Sequence, residues 1–394
     1  MKSVKVSAPA KVLLFGEHAV VYGSACVAAA LNDLRLHVTI DSVTPVNSST
    51  PAAIELVFQD IRSAADGASL RRSFPLLVLQ TIMQRFPEDA HYLPRPADHL
   101  LTCINDALLA REDSEEDAKA LRPALFLCIA LLRASSVYNS AGASDVGLRI
   151  QVSATENFPI GAGLGSSAAF SVALAGALAH FQPQSEENIG LELINAYAFA
   201  AEVIMHGAPS GVDNTVAAFG GALVFRKLPE PAFQCIACDL NQFRFLLVDT
   251  RVPRSTKEQV ANVGKLLDAD RVHVEELFSE IDGIASSFVA LSNQQQGLSE
   301  AHLASQLARN HEILNALGVG HPQIERVALV CRQYGATTKL TGAGGGGCTL
   351  SLLPQSMDDA AVAQLVAELE GEHNGFQCFV SAVGGAGFQV ESSE

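Results

Sequence analysis

The chain has 394 residues, 48% hydrophobic and 17% charged, which is enough apolar material for two packed cores rather than one. Its formal charge of −16 opposes binding to nucleic acid or to an anionic lipid surface, so an anionic small molecule must be met by local Lys, Arg or backbone N–H groups. Its eight cysteines are scattered, with CxxC spacing only at Cys235 and Cys238 in a segment that reads as strand, and its eleven histidines show no metal-ligand spacing, so a reduced intracellular protein is expected.

The opening Met1-Lys2-Ser3-Val4-Lys5-Val6 lacks the apolar core of a secretory signal and reads as a first strand. Lys11 interrupts an otherwise apolar stretch there and must snorkel out or meet a partner. Glu17 and His18 fall in the turn that follows. Leu34, Leu36, Val38 and Ile40 alternate with polar residues, as do Leu148, Ile150 and Val152, which marks two half-buried strands. Between them the reading is mostly helix, with apolar runs over 74–86, 100–109 and 124–137 and a charged, solvated connection over 111–119. The most apolar run, 124–132, is about half the length that spans a bilayer and reads as a buried helix.

The run SSAAFSVALAGALAHF over 166–181 suits a helix packed closely on a sheet, and a second helix from Glu192 to His206 stops at Gly207. Beyond Pro229 and Pro231 come strands over 233–236 and 243–248, three long helical stretches, and two more strands around a run of glycines. That shift divides the chain into 1–228 and 229–394. The last residues carry no SKL, KDEL or CaaX signal, which leaves the cytoplasm as the expected location.

The segment Pro159-Ile160-Gly161-Ala162-Gly163-Leu164-Gly165-Ser166-Ser167 follows a strand and opens into a helix. Glycines let the backbone approach a ligand, and free N–H groups at a helix start favour an anion, so this is a candidate phosphate cradle. It lacks the lysine of a GxxxxGK[ST] loop. The plainer alternative is a tight turn with Ser166 or Ser167 as N-cap. A second cluster, Gly342-Ala343-Gly344-Gly345-Gly346-Gly347, is costly in backbone entropy and reads as a mobile loop approaching a ligand, against the alternative of a surface turn. Asp213 admits two readings: the third residue of a capping box begun by Ser210, or a carboxylate set at a helix start for chemistry. Glu202 shares a helical face with Ala198 and Met205, so it is expected to be a buried acid in need of a cation.

Together, PAKVLLFGEHAVVYG, PIGAGLGSSAA, MHGAPSGVDN and KLTGAGGGGC resemble the ordered motifs of the GHMP kinases, over essentially the whole chain. Their wording, with Lys11 and GEHAVVYG, and the segment Val252-Pro253-Arg254-Ser255-Thr256, is most similar to the eukaryotic members that phosphorylate mevalonate. Ala10 departs from the glycine common there. The resemblance implies an α+β fold of two domains, an N-terminal one that is ribosomal protein S5 domain 2-like and a ferredoxin-like C-terminal one, with the active site between them. It implies transfer of phosphate from ATP to (R)-mevalonate, giving mevalonate 5-phosphate for isoprenoid and sterol precursors.

The same resemblance assigns the residues. Backbone N–H groups of Gly161, Ala162, Gly163, Leu164, Gly165, Ser166 and Ser167 hold the phosphates, Gly344 and Gly345 close over the nucleotide, and Ser167 with Glu202 binds Mg²⁺. Asp213 takes the proton of the substrate hydroxyl and Lys11 offsets developing charge. Glu17, His18, Arg254 and Thr256 are candidates for the hydroxyacid, with Arg254 the natural partner of its carboxylate. Eukaryotic relatives also lead one to expect a homodimer and inhibition by prenyl diphosphates at the ATP site. The alternatives are phosphomevalonate or homoserine kinase, an ATP-dependent decarboxylase, or a silent nucleotide sensor; intact Lys11, Ser167, Glu202 and Asp213 argue against the last.

Overall fold

The computed structural model describes residues 2–44, 51–64, 66–85, 98–109, 114–133, 146–156, 158–182, 190–227, 232–236, 240–292 and 298–393. Among them the chain runs β1 (Ser3–Phe15), β2 (Cys26–Val43), β3 (Ala53–Arg62), β4 (Ser69–Pro75), α1 (Leu76–Met83), α2 (Asp98–Ala107), α3 (Glu115–Leu132), β5 (Gly147–Ala154), α4 (Ser166–Phe181), α5 (Leu191–His206), α6 (Val212–Phe219), β6 (Ala222–Arg226) and β7 (Ala232–Ile236). It continues with β8 (Arg244–Asp249), α7 (Thr256–Ala269), α8 (Arg271–Ser292), α9 (Glu300–Ala316), α10 (Pro322–Gln333), β9 (Thr337–Leu340), β10 (Cys348–Leu353), α11 (Asp359–Glu370), β11 (Gln377–Ser381) and β12 (Gln389–Ser393).

The strands form two sheets. The larger runs β12-β1-β2-β5-β3-β4, with β6 beside β2 and β7 beside β6; the smaller runs β11-β8-β10-β9. As the alternation predicts, Leu34, Leu36, Val38 and Ile40 are buried, and from Leu36 onward β2 pairs antiparallel with β5. α4 lies over β1 and β2, flanked by α3, α5 and α6, and its small side chains allow that close approach. At Gly176 a Cβ would come within 2.1 Å of the Phe388 ring, so this glycine seats the chain as it returns toward β12. α9 and α10 cover β9. One contiguous apolar core runs from Val4 through Phe288 to Val383, with Phe15 and Phe288 rings 5.3 Å apart across the lobes, and a second cluster around Leu246, Val248 and Leu365 lies behind the smaller sheet.

Several expectations need correction. Between β2 and β5 the helices α1, α2 and α3 are present, but the reading missed β3 and β4, which form an antiparallel hairpin with β3 parallel to β5. Glu115 to Lys119 is not a solvated connection but the first turns of α3, capped by Ser114, whose hydroxyl accepts from the Asp117 N–H at 3.0 Å. Asp117 is itself buried and accepts from Ser63 and Arg72. Four helices rather than three fill 256–333. Cys235 lies in β7, as read, whereas Cys238, the division at 228–231 and the expected helix beyond 133 lie outside the described residues.

Candidate active site

A cleft of about 500 Å³ opens between the lobes, lined on one side by Lys11, Glu17, His18, Gly161, Gly163, Gly165, Ser166, Ser167 and Asp213, and on the other by Arg254, Thr256, Gly342 and Ala343. The glycine-rich loop reaches it from β5 with Gly161, Gly163 and Gly165 all at positive φ, a region costly for other residues. Gly165 is the N-cap of α4, so neither serine caps it; Ser166 and Ser167 are the first two helical residues and no side chain accepts from the first amides. Those amides and the helix dipole face the cleft as an anion cradle. Ala162 and the buried Leu164 belong to the same loop but do not line the cleft, and Leu164 O accepts from the Lys11 N–H at 2.9 Å.

The cradle rests directly on two charged side chains. Lys11 Nζ lies 3.3 Å from Asp213 Oδ1, the lysine side chain being 9% exposed and the aspartate 34%. A Cβ on Gly165 would come within 2.9 Å of Lys11 Cγ and 3.3 Å of Asp213 Oδ2. α6 begins at an N-cap Gly211 with φ 83 and no side-chain cap, so Asp213 is its second residue and the capping box with Ser210 does not form. The Asp213 carboxylate therefore has no capping duty and points to Lys11.

Ser167 Oγ donates to Glu202 Oε2 at 3.2 Å and lies 3.2 Å from His206 Nε2. Burial, with repulsion from Asp213 next, pushes Glu202 up to about 8. Its second oxygen, Oε1, is buried without a hydrogen-bond partner. No group of three or more His, Cys, Asp or Glu that could hold a metal by itself occurs among the described residues. One orphaned carboxylate oxygen beside a serine hydroxyl and an anion cradle is the donor set that suits a hard cation completed by phosphate oxygens and water.

On the opposite wall, Arg254 is threaded between the two glycine loops. Nη2 donates to Ala162 O at 2.8 Å and Nη1 reaches Thr341 O at 3.5 Å. A Cβ on Gly163 would sit 1.4 Å from Nη2, and one on Gly347 2.7 Å from Nε. Burial lowers the pKa of this guanidinium from its usual value, with Asp249 opposing the shift. Thr256 is the first residue of α7, after the N-cap Ser255. Gly342 and Ala343 line the cleft; Gly344 and Gly345 face away from it, packed on the Val319 carbonyl and on Gln259, and the Gly345 N–H donates to Val319 O at 2.8 Å.

His18 Nε2 lies 2.8 Å from Ala343 O, which makes it the protonated nitrogen of a ring whose pKa burial lowers. Glu17 borders the cleft, but its carboxylate is fully enclosed: Lys339 Nζ is bonded to Oε1, and Asn310 Nδ2 donates to Oε2 at 3.1 Å. Lys339, Asn310 and His206 were not singled out from sequence. The first two lie far along the chain from Glu17, while His206 stands in a quoted motif and its contact with Ser167 depends on how α4 and α5 pack.

Beside the cleft lies a second cavity of about 370 Å³, walled by Leu36, Phe58, Ile61, Val152, Phe170 and Met205. The two share Ile160, Gly161, Ser166 and Ser167. Its wall comes from strands and helices far apart in sequence, and no spacing announces it.

The family model described as "GHMP kinases N terminal domain" matches residues 126–221. Over 406 residues the chain is 33% identical to a mevalonate kinase of Candida albicans, covering 98% of this chain and 89% of that one. It is 32% identical to a mevalonate kinase of Arabidopsis thaliana, with 98% and 99% covered. The crystal structure of the L. major mevalonate kinase in complex with R-mevalonate superposes with a TM-score of 0.68 at 22% identity over 97% of both chains. A Lactococcus lactis galactokinase complexed with galactose gives 0.61 at 15% identity, covering 98% of this chain and 95% of that one. These structural likenesses bear on the fold.

Proposed function

This chain belongs to the mevalonate kinase family, has the GHMP kinase fold and phosphorylates mevalonate with ATP, and from that premise we propose how its residues divide the reaction. The observation that carries the division is the Lys11–Asp213 pair set against Gly165, at the start of α4. The adenine occupies the apolar cavity and the phosphates lie along residues 161–167, which border both spaces. Ser167 and the orphaned Glu202 oxygen hold Mg²⁺, which when bound neutralises phosphate charge.

Asp213 accepts the proton of the primary hydroxyl of (R)-mevalonate as its oxygen attacks the γ-phosphorus; ADP leaves and mevalonate 5-phosphate forms. Lys11, 3.3 Å from that carboxylate, offsets the negative charge that gathers on the transferred group. His18, Arg254 and Thr256 face the hydroxyacid, with Arg254 toward its carboxylate, and Gly342 with Ala343 excludes water. Glu17 serves by holding Lys339 rather than by touching substrate. Gly344 and Gly345 act as the backing of that loop.

The division into 1–228 and 229–394 is our reading of the lobes, with β7 and β12 pairing in the larger sheet. A homodimer, a cytoplasmic location and inhibition by prenyl diphosphates belong to the same proposal. An amide cradle next to an apolar cavity suits a diphosphate with a hydrocarbon tail.

The test is Asp213→Asn. We expect kcat to fall by about 10²–10⁴, the span of a general base, while ATP affinity and melting temperature stay near those of the parent protein. Turnover within a factor of about two, with a stability loss of about 1 kcal/mol, is the outcome of a residue that merely supports the helix start, and it would remove Asp213 from the chemistry.

A further inference from the structure

Three residues of the C-terminal lobe, Lys339, Thr341 and Ala343, hold the end of β1 and the turn after it that carries His18. Lys339 Nζ is bonded to Glu17 and lies 3.4 Å from Leu13 O. Thr341 Oγ1 donates to Leu13 O at 3.0 Å and accepts from the Leu13 N–H at 3.2 Å. Ala343 O meets His18 Nε2 at 2.8 Å. Lys339 and Thr341 are alternate residues at the end of β9, and Ala343 follows the turn at Gly342, whose φ is 79, so the end of β9 and the start of the glycine loop together face the first motif.

The turn it grips is strained: Gly16 has φ 97, and His18 has φ 60 and ψ −50, an arrangement rare for a residue with a side chain. Such backbone persists only where its surroundings over-determine it. Lys339 and Glu17 are both fully enclosed, with Asn310 completing the carboxylate. An enclosed ion pair adds little stability over an apolar pair of the same size, so stability alone does not account for it. The same turn continues into Val20 and Val21, which line the cleft beside His18.

We propose that Lys339 is a positioning residue for the hydroxyacid end of the cleft, fixing through Glu17 the turn that presents His18 and its neighbours to substrate. This rests on the reading of His18 as the substrate end. Lys339 touches neither substrate nor nucleotide. Its effect is selective because the phosphate cradle is held by Lys11 in β1 and by the start of α4, and not by the turn at residues 16–18.

The experiment is steady-state kinetics and thermal melting of Lys339→Met, Glu17→Gln and the charge-free Glu17→Gln/Lys339→Met double variant, with His18→Ala alongside. We expect the single variants to lose stability and the double variant to recover it. In the double variant the KM for mevalonate should still be raised about tenfold or more with the KM for ATP within about twofold, because the turn has lost its fixed geometry. The two single effects on kcat/KM for mevalonate should not add, since both act through one contact. A folded double variant with parental KM values for both substrates overturns the proposal and leaves the pair structural. If His18→Ala leaves the KM for mevalonate unchanged while the double variant raises it, the reading of His18 fails and the positioning role of Lys339 stands. Should Lys339→Met not fold, the double variant alone decides.

Discussion

Glu202 is a carboxylic acid enclosed beside a serine hydroxyl, with one oxygen unpartnered and its pKa pushed up to about 8, chiefly by burial. The unfolded chain releases this proton near 4.5, so between about 4.5 and 8 the ligand-free folded state holds a proton that the unfolded state does not. The group's contribution to stability is therefore whole below about 4.5 and is lost as the pH rises through about 8. Melting curves of the ligand-free protein should show a fall over that window that is flatter in Glu202→Gln, whose amide does not titrate. The same substitution should raise the Mg²⁺ concentration needed for half-maximal turnover, because a neutral oxygen binds a hard cation less well. An unchanged Mg²⁺ requirement would take Glu202 out of the metal site. At this scale Lys11, Ser167, Glu202 and Asp213 were singled out in the sequence, but local context left Lys11, Glu202 and Asp213 open between structure and chemistry, and the resemblance of the ordered motifs assigned their roles. Lys339 was not: it sits in a quoted motif, yet its partner Glu17 is separated from it by most of the chain, and only folding brings the two together.

Arg254 shows what an element adds. It stands just before α7 and spans the space between the loops at 161–165 and 341–347, where Gly163, Gly342 and Gly347 leave room for its guanidinium. The glycines were legible because positive φ demands them, but their second purpose, clearance for an arginine from the other lobe, was not. At the helix starts the serine caps that stood as alternatives do not form: α4 and α6 take glycine as N-cap, which frees Ser167 and Asp213 for the cleft. β3 escaped notice because Leu56, Val57 and Phe58 are all buried, which erases the alternation that marks a half-exposed strand. The acidic run Glu115, Glu116 and Asp117 looked solvated, yet it is the first turn of α3, where negative charge complements the helix dipole. For Arg254→Ala we expect a raised KM for mevalonate equivalent to about 2–5 kcal/mol with the KM for ATP little changed, and only partial rescue by Arg254→Lys, which lacks the planar fork. Equal and small effects on both KM values, of about 0–1 kcal/mol, would leave Arg254 a strap between loops and the carboxylate partner unidentified.

Across the whole molecule, the cleft draws on the start of the chain, its middle, and Gly342 with Ala343, and the chain then returns to lay β12 against β1. That last strand, QVESS, is polar and exposed along its length, so nothing in its pattern declared it. The two-lobed layout was legible from amount of apolar material and motif order, whereas the shared core that joins the lobes follows from packing such as Phe15 on Phe288. With a net charge of −16, the protein gathers Lys11, Arg254 and the amides at the start of α4 around one cleft, which is how an acidic molecule receives two anionic substrates. This cleft is built for one small hydroxyacid and ATP. The most direct measurement is ADP release from MgATP with mevalonate, mevalonate 5-phosphate, homoserine and galactose supplied one at a time. Turnover is expected with mevalonate and background rates with the other three; background with mevalonate, or faster turnover with any of the others, would show that the cleft serves another substrate.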